Sequence, residues 1–155
     1  MLKRMKALKD QRGLTLIELL VVIVIIGIIA GIAIVAIGNI MENSKRDAHI
    51  ANAQQVANAA RLYVTSENPA LANPVTIRVN EHASEDSLVG EGYLETVSDP
   101  SGTIYGDASQ VVITRTNDGL TFQVTLANAP ESGSAHTYLT SDDPNALDRD
   151  NVTLP

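Results

Sequence analysis

Twenty consecutive positions, residues 19–38 (LLVVIVIIGIIAGIAIVAIG), carry no charged or strongly polar side chain. At a rise of about 1.5 Å per residue, a helix of that length spans about 30 Å, the hydrocarbon thickness of a bilayer. A fully buried helix of a soluble protein can share this texture, but the chain has few other large apolar residues with which to bury one. The pattern changes rather than ends at Gly38. Residues 39–66 contain no proline, and Ile50, Ala53, Ala57, Ala60 and Val64 recur at spacings of three and four, which places them on one helical face. Val56, Ala59 and Tyr63 widen that stripe, while Asn52, Gln55, Asn58 and Arg61 take much of the other side. Ser66-Glu67-Asn68-Pro69 supplies the stop, because a residue before proline avoids the helical region. The pattern predicts one helix over about residues 14–66, on the order of 80 Å long. Its first half is apolar all round and its second half is amphipathic.

After Pro69 the period shifts. Val75-Thr76-Ile77-Arg78-Val79 alternates and is β-branched, which predicts a short strand. Residues 85–94, EDSLVGEGYL, read as a helical turn. Residues 110–116 (QVVITRT) and 120–126 (LTFQVTL) predict two strands, with Asn117-Asp118-Gly119 as the hairpin turn between them. A further strand includes Thr137-Tyr138-Leu139, and the acidic tail from Ser141 to Pro155 reads as loop. The fold class is α+β: a long N-terminal helix packed on a small antiparallel sheet. The organisation is a leader (1–13), an apolar half-helix (14–38), an amphipathic half-helix (39–68) and a globular head (69–155). Aromatics are only 3% of the chain, with one Phe, so the head's core is modest and needs the amphipathic half-helix to complete it.

Charge sharpens this division. Residues 1–13 carry Lys3, Arg4, Lys6, Lys9 and Arg12 against Asp10, a net of +4. Residues 14–155 carry six basic and 17 acidic side chains, a net of −11, which completes the overall −7. A basic flank before an apolar span keeps the N-terminus on the cytoplasmic side and places everything after the span outside. The acidic remainder repels nucleic-acid phosphate and disfavours direct nucleic-acid binding. The chain has no cysteine, so neither disulfide nor thiolate chemistry is open to it.

Glu18 stands at the rim of the span, where an unpaired carboxylate is costly and a plain anchor would avoid it. With the short basic leader it completes Gly13-Leu14-Thr15-Leu16-Ile17-Glu18, running straight into the apolar segment. Here the sequence resembles the type IV filament family: type IV pilins, competence pilins and type II secretion pseudopilins. Their class III signal is a glycine, a hydrophobic residue and, four residues further on, a glutamate; Gly13, Leu14 and Glu18 hold those places. The resemblance implies cleavage by prepilin peptidase between Gly13 and Leu14 and methylation of the new Leu14 amine. It also implies storage in the membrane before assembly, and in the filament pairing of Glu18 with a neighbour's amine. The implied fold is the pilin ladle. The implied partners are other copies of the chain in a helical homopolymer, minor pilins, the peptidase and an assembly ATPase and platform, with a cell-surface or periplasm-like filament as the product.

Gly27 and Gly31 form a small-xxx-small pair, with Gly38 seven residues on. Such pairs let helices approach closely in lipid. Glycine also weakens a helix by about 1 kcal/mol relative to alanine. Relatives often carry a proline later in the span; here that position is Val35, so Gly27 and Gly31 become the places for local melting. In the head, Leu88-Val89-Gly90-Glu91-Gly92-Tyr93-Leu94 and Asp99-Pro100-Ser101-Gly102-Thr103-Ile104-Tyr105 look like the GYL and DP-x-G-x-x-Y stretches of the same family.

Asp142, Asp143, Asp148 and Asp150 crowd the tail, and oxygen-rich clusters can bind calcium. The competing reading is a solvated acidic loop, with no cofactor. No nucleophile elbow, zinc-protease, phosphate-loop or CxxC motif is present, so the expectation is a non-enzyme. His49, His82 and His136 are isolated in sequence and are expected at the surface. The rival function is a secreted or membrane-anchored binding domain with an ordinary signal peptide cut at Gly31-Ile32-Ala33, a reading that leaves Glu18 unexplained.

Overall fold

The computed structural model describes residues 2–67, 74–80, 86–102, 104–129 and 134–155, with side chains from Thr15 onward in the helix. The helix α1 runs Leu2–Glu67. It therefore begins twelve residues before the expected start. Leu2 to Leu8 are leucine, lysine, arginine, methionine and alanine, all good helix formers, and no proline or glycine interrupts them. The predicted stop at Asn68-Pro69 lies just outside the described residues.

The chain divides into two compact units, Met1–Glu42 and Asn43–Pro155. The first is the N-terminal part of α1 alone; among the described residues, α1 is the one helix long and apolar enough to cross a membrane. The second joins the remaining turns of α1 to a four-stranded antiparallel sheet. Its strands are β1 (Val75–Arg78), β2 (Gln110–Thr116), β3 (Gly119–Ala127) and β4 (Thr137–Ser141), in the order β1-β2-β3-β4. Each strand lies beside its sequence neighbour, the meander that short connections favour. Asn117 and Asp118 turn the β2–β3 hairpin, closed by the Thr116–Gly119 pair, with Gly119 at φ 138°. A side chain there would be strained, so glycine is required.

Alternation sorts the two faces of the sheet. Ile77, Val111 and Val124 form one buried cross-strand row, and Ile113 with Phe122 forms another. Thr76, Gln110, Thr114 and Thr125 point to the opposite side. The buried face meets Ala53, Val56, Ala57, Ala59, Ala60 and Val64 of α1 in one core, with Ile50 and Tyr63 packed at its margin. The predicted helical stripe is therefore the stripe that is buried. Each fully buried valine, leucine or isoleucine contributes about 1.5–3 kcal/mol relative to exposure.

Between β1 and β2, residues 87–94 make a tight turn in which the Glu91 N–H bonds the Ser87 carbonyl at 2.9 Å, the single helical turn the sequence predicts. Leu88 and Leu94 are buried beneath it. The tail differs from the expected loop. It holds a turn of 3₁₀ helix (Arg149–Asn151) capped by Asp148, and Val152 is buried. Arg149 grips Asp47 with two bonds of 2.6 Å, and Arg46 Nη1 reaches the carbonyls of Arg149 (3.0 Å) and Val152 (2.7 Å). The neighbouring guanidinium holds the Asp47 carboxyl below the usual carboxylate range. The Thr153 N–H bonds the Tyr138 carbonyl at 2.8 Å, so the tail covers the outer edge of β4. These ties do for the C-terminus what a disulfide would do in a chain with cysteines.

Candidate functional site

Gly13 and Leu14 lie within the helical backbone of α1, and their side chains fall outside the described residues. One turn later Glu18 is exposed on the helix surface, among Thr15, Leu19 and Val22. Residues four apart share a face, so the backbone nitrogen freed by a cut before Leu14 would start the turn that ends at Glu18.

The apolar side chains around and beyond Glu18 are uncovered. From Leu16 to Met41, the large hydrophobic residues range from 47% exposed (Val21, Val22) to 72% exposed (Ile34). Soluble monomers rarely expose an apolar surface of this extent, which fits a segment covered by lipid or by another chain. Gly27 and Gly31 sit in this segment, and a methyl group added at either, or at Gly38, would touch nothing within 4 Å. The chain's own packing does not demand glycine there. Nine residues, or two and a half turns, separate Glu18 from Gly27, so the carboxylate and the glycine face lie on opposite sides of the helix. The helix continues unbroken through Val35.

The four tail aspartates do not converge. Asp142 accepts from Gln123 Nε2 (2.5 Å), Asp143 from the Asn145 N–H (3.0 Å), and Asp148 from the Asp150 N–H (3.0 Å), while Asp150 lies in the 3₁₀ turn. Among the described residues no three acidic or histidine side chains gather as a metal-holding group. Asp143 and Asp148 act as turn and cap acceptors.

A different polar cluster is present that sequence reasoning missed. His49, expected at the surface, is fully buried in the second unit. His136 is half-buried, and His82 is outside the described residues. His49 Nδ1 lies 2.8 Å from Tyr105 Oη and Nε2 lies 3.3 Å from Ser101 Oγ, with the ring tilted over Tyr138 at a centroid distance of 4.1 Å. Asn52, placed by periodicity on the polar side, is half-buried and donates to the Ser98 carbonyl (3.1 Å) and Tyr105 Oη (3.0 Å). Tyr138 donates to buried Asp99 at 2.7 Å, and the Ser101 N–H donates to the same carboxylate at 2.7 Å. Burial drives both tyrosine hydroxyls far above their ordinary range, so they stay protonated. The signal for His49 was available: it lies four residues before Ala53, on the apolar stripe.

A neutral ring with a bare Nδ1 gives the Tyr105 hydrogen an acceptor, while Tyr105 Oη accepts from Asn52. Nε2 then carries the ring proton and donates to Ser101 Oγ. The DP-x-G-x-x-Y stretch thus has a packing role, since Asp99 anchors Tyr138 and Tyr105 anchors the helix. At Gly102 a side chain would press on Asp99 Oδ2 at 3.1 Å.

Residues 8–34 match the family described as the prokaryotic N-terminal methylation motif. This is the class III signal of type IV pilins and pseudopilins, and the long helix with its small antiparallel sheet fits the pilin fold. The match supports a pilin-like or pseudopilin-like prepilin processed by prepilin peptidase, and with the long apolar helix it fits a membrane-anchored precursor. No curated protein and no solved structure matches the chain.

Proposed function

We propose that the chain is the subunit of a type IV pilus-like filament, cut between Gly13 and Leu14 and polymerised through the first half of α1. The observation that carries this reading is an uncovered apolar helix bearing one carboxylate, Glu18, a single turn from the cleavage point. Before assembly the bilayer covers the helix, with the basic leader on the cytoplasmic side. After assembly other copies cover it. Cleavage leaves a cationic Leu14 amine, and methylation keeps it cationic. In a dry filament core a neighbour's amine neutralises Glu18, and that pairing fixes the axial register between subunits. An amine still blocked by the leader would leave the carboxylate unpaired, so processing is a precondition for assembly. Minor pilins and an assembly ATPase with its platform complete the machine.

The test is mass spectrometry of the mature N-terminus together with electron microscopy of sheared surface fractions. A methylated Leu14 start in filamentous material supports the proposal. A start near Val35 in soluble material would replace it with an ordinary secreted domain, and filaments that retain residues 1–13 would overturn it.

A further inference from the structure

The buried cluster around His49 has a direction. Asn52 Nδ2 donates to Tyr105, and Tyr105 donates to His49 Nδ1. His49 Nε2 donates to Ser101 Oγ, and Tyr138, beneath the His49 ring, donates to Asp99. Tyr105 both accepts and donates, and the Asp99 carboxylate accepts from Tyr138 and from the Ser101 N–H. The cluster joins three elements of the second unit: α1 through His49 and Asn52, the 98–105 segment through Ser101, Asp99 and Tyr105, and β4 through Tyr138.

We propose that this cluster is an acid-sensitive clasp, closed while His49 is neutral and opened by its protonation, so that acid releases the 98–105 segment from α1. An imidazolium must donate from both nitrogens. Nδ1–H would then point at Tyr105 Oη, and the Tyr105 hydrogen would lose its acceptor in a buried place. The titratable and charged groups facing the ring are Asp99 from the 98–105 segment, with Oδ1 3.9 Å from Nε2, Tyr105, Tyr138 from β4, and Lys45 on its own helix. His136 meets Tyr138 edge-on, at a centroid distance of 5.4 Å. Asp99 favours the charged ring but is already engaged by Tyr138 and the Ser101 N–H. Burial depresses the His49 value, Asp99 opposes it, and Lys45 adds to the depression.

The sign follows from linkage. The folded protein takes up the His49 proton at lower pH than the unfolded chain. The stabilisation is complete above the ordinary histidine value of about 6.5. It declines as pH falls through that value, and the decline ends once the folded form is protonated too.

The experiment is an NMR titration of the imidazole Cε1–H signals in the full chain in detergent micelles. The His49 signal is assigned by elimination with His82→Asn and His136→Asn. Urea unfolding and amide exchange are followed at pH 7.5 and 5.5. The expected result is a His49 midpoint below the ordinary value, a severalfold larger unfolding constant at the lower pH, and faster exchange at Gly102 and Tyr105 relative to Val124. Tyr105→Phe removes the donor to Nδ1, so it should shift the His49 midpoint upward and shrink the pH dependence. A His49 midpoint at or above the ordinary value, pH-independent unfolding, or equal exchange changes at Tyr105 and Val124 would overturn the clasp. So would a Tyr105→Phe chain with an unaltered titration.

Discussion

Two stretches of one helix treat apolar residues in opposite ways. Between Leu16 and Met41 the side chains are mostly large, branched and exposed; between Ala53 and Val64 the buried ones are mostly alanine. A helix that must meet a sheet of its own chain uses small residues, because the backbones approach closely and larger side chains would overpack. A helix whose partner is lipid or another copy carries as much apolar surface as it can. Residue size, more than hydrophobicity, separates the face completed within the chain from the face left for something else.

That contrast can be broken at either end. The largest stability effect is expected at Leu126→Ala, which opens a cavity in the sheet core and should cost about 2–5 kcal/mol in urea unfolding. Glu18→Ala should leave head unfolding, cleavage and membrane insertion intact but remove a charge-assisted contact between copies. At about 1.5–3 kcal/mol per such contact, filament yield should drop by roughly tenfold or more. Wild-type yield of sheared filaments from this variant would contradict the assembly role. Gly106→Ala places a methyl group against the Asn128 carbonyl, 2.8 Å from its carbon and 2.9 Å from Ala129 Cα, where only backbone can move. It should destabilise the head by about 1–3 kcal/mol, and an unchanged melting curve would show that this crossing is loose. The smallest effect is Ile25→Ala: urea unfolding of the head should stay within about 0.5 kcal/mol of wild type. A larger loss would mean that the apolar segment supports the head directly.

The elements were readable where a period was long or a turn had specific chemistry. The stripe from Ile50 to Val64, the strand runs at 110–116 and 120–126, and the Asn117-Asp118-Gly119 turn all appear where the pattern places them. The helical backbone of residues 2–13 is carried by good helix formers that the basic charge pattern does not signal. The tail was read as loop because its acidic composition conceals the buried Val152 and the grip of Arg149 on Asp47. Asp142, Asp143, Asp148 and Asp150 are close in sequence, yet Asp142 accepts from Gln123 of β3 while Asp143 and Asp148 accept from backbone N–H groups of two different turns.

The proposed processing signal is glycine, glutamate and an apolar span at fixed spacing, legible because it lies along one segment. No tertiary contact is needed to place Gly13, Leu14 and Glu18 one turn apart. His49, Asp99, Tyr105 and Tyr138 are up to 89 positions apart and share no motif. Only the packing of helix, loop and strand brings them within hydrogen-bonding reach, and only their directions relative to one another decide which nitrogen of His49 carries the proton.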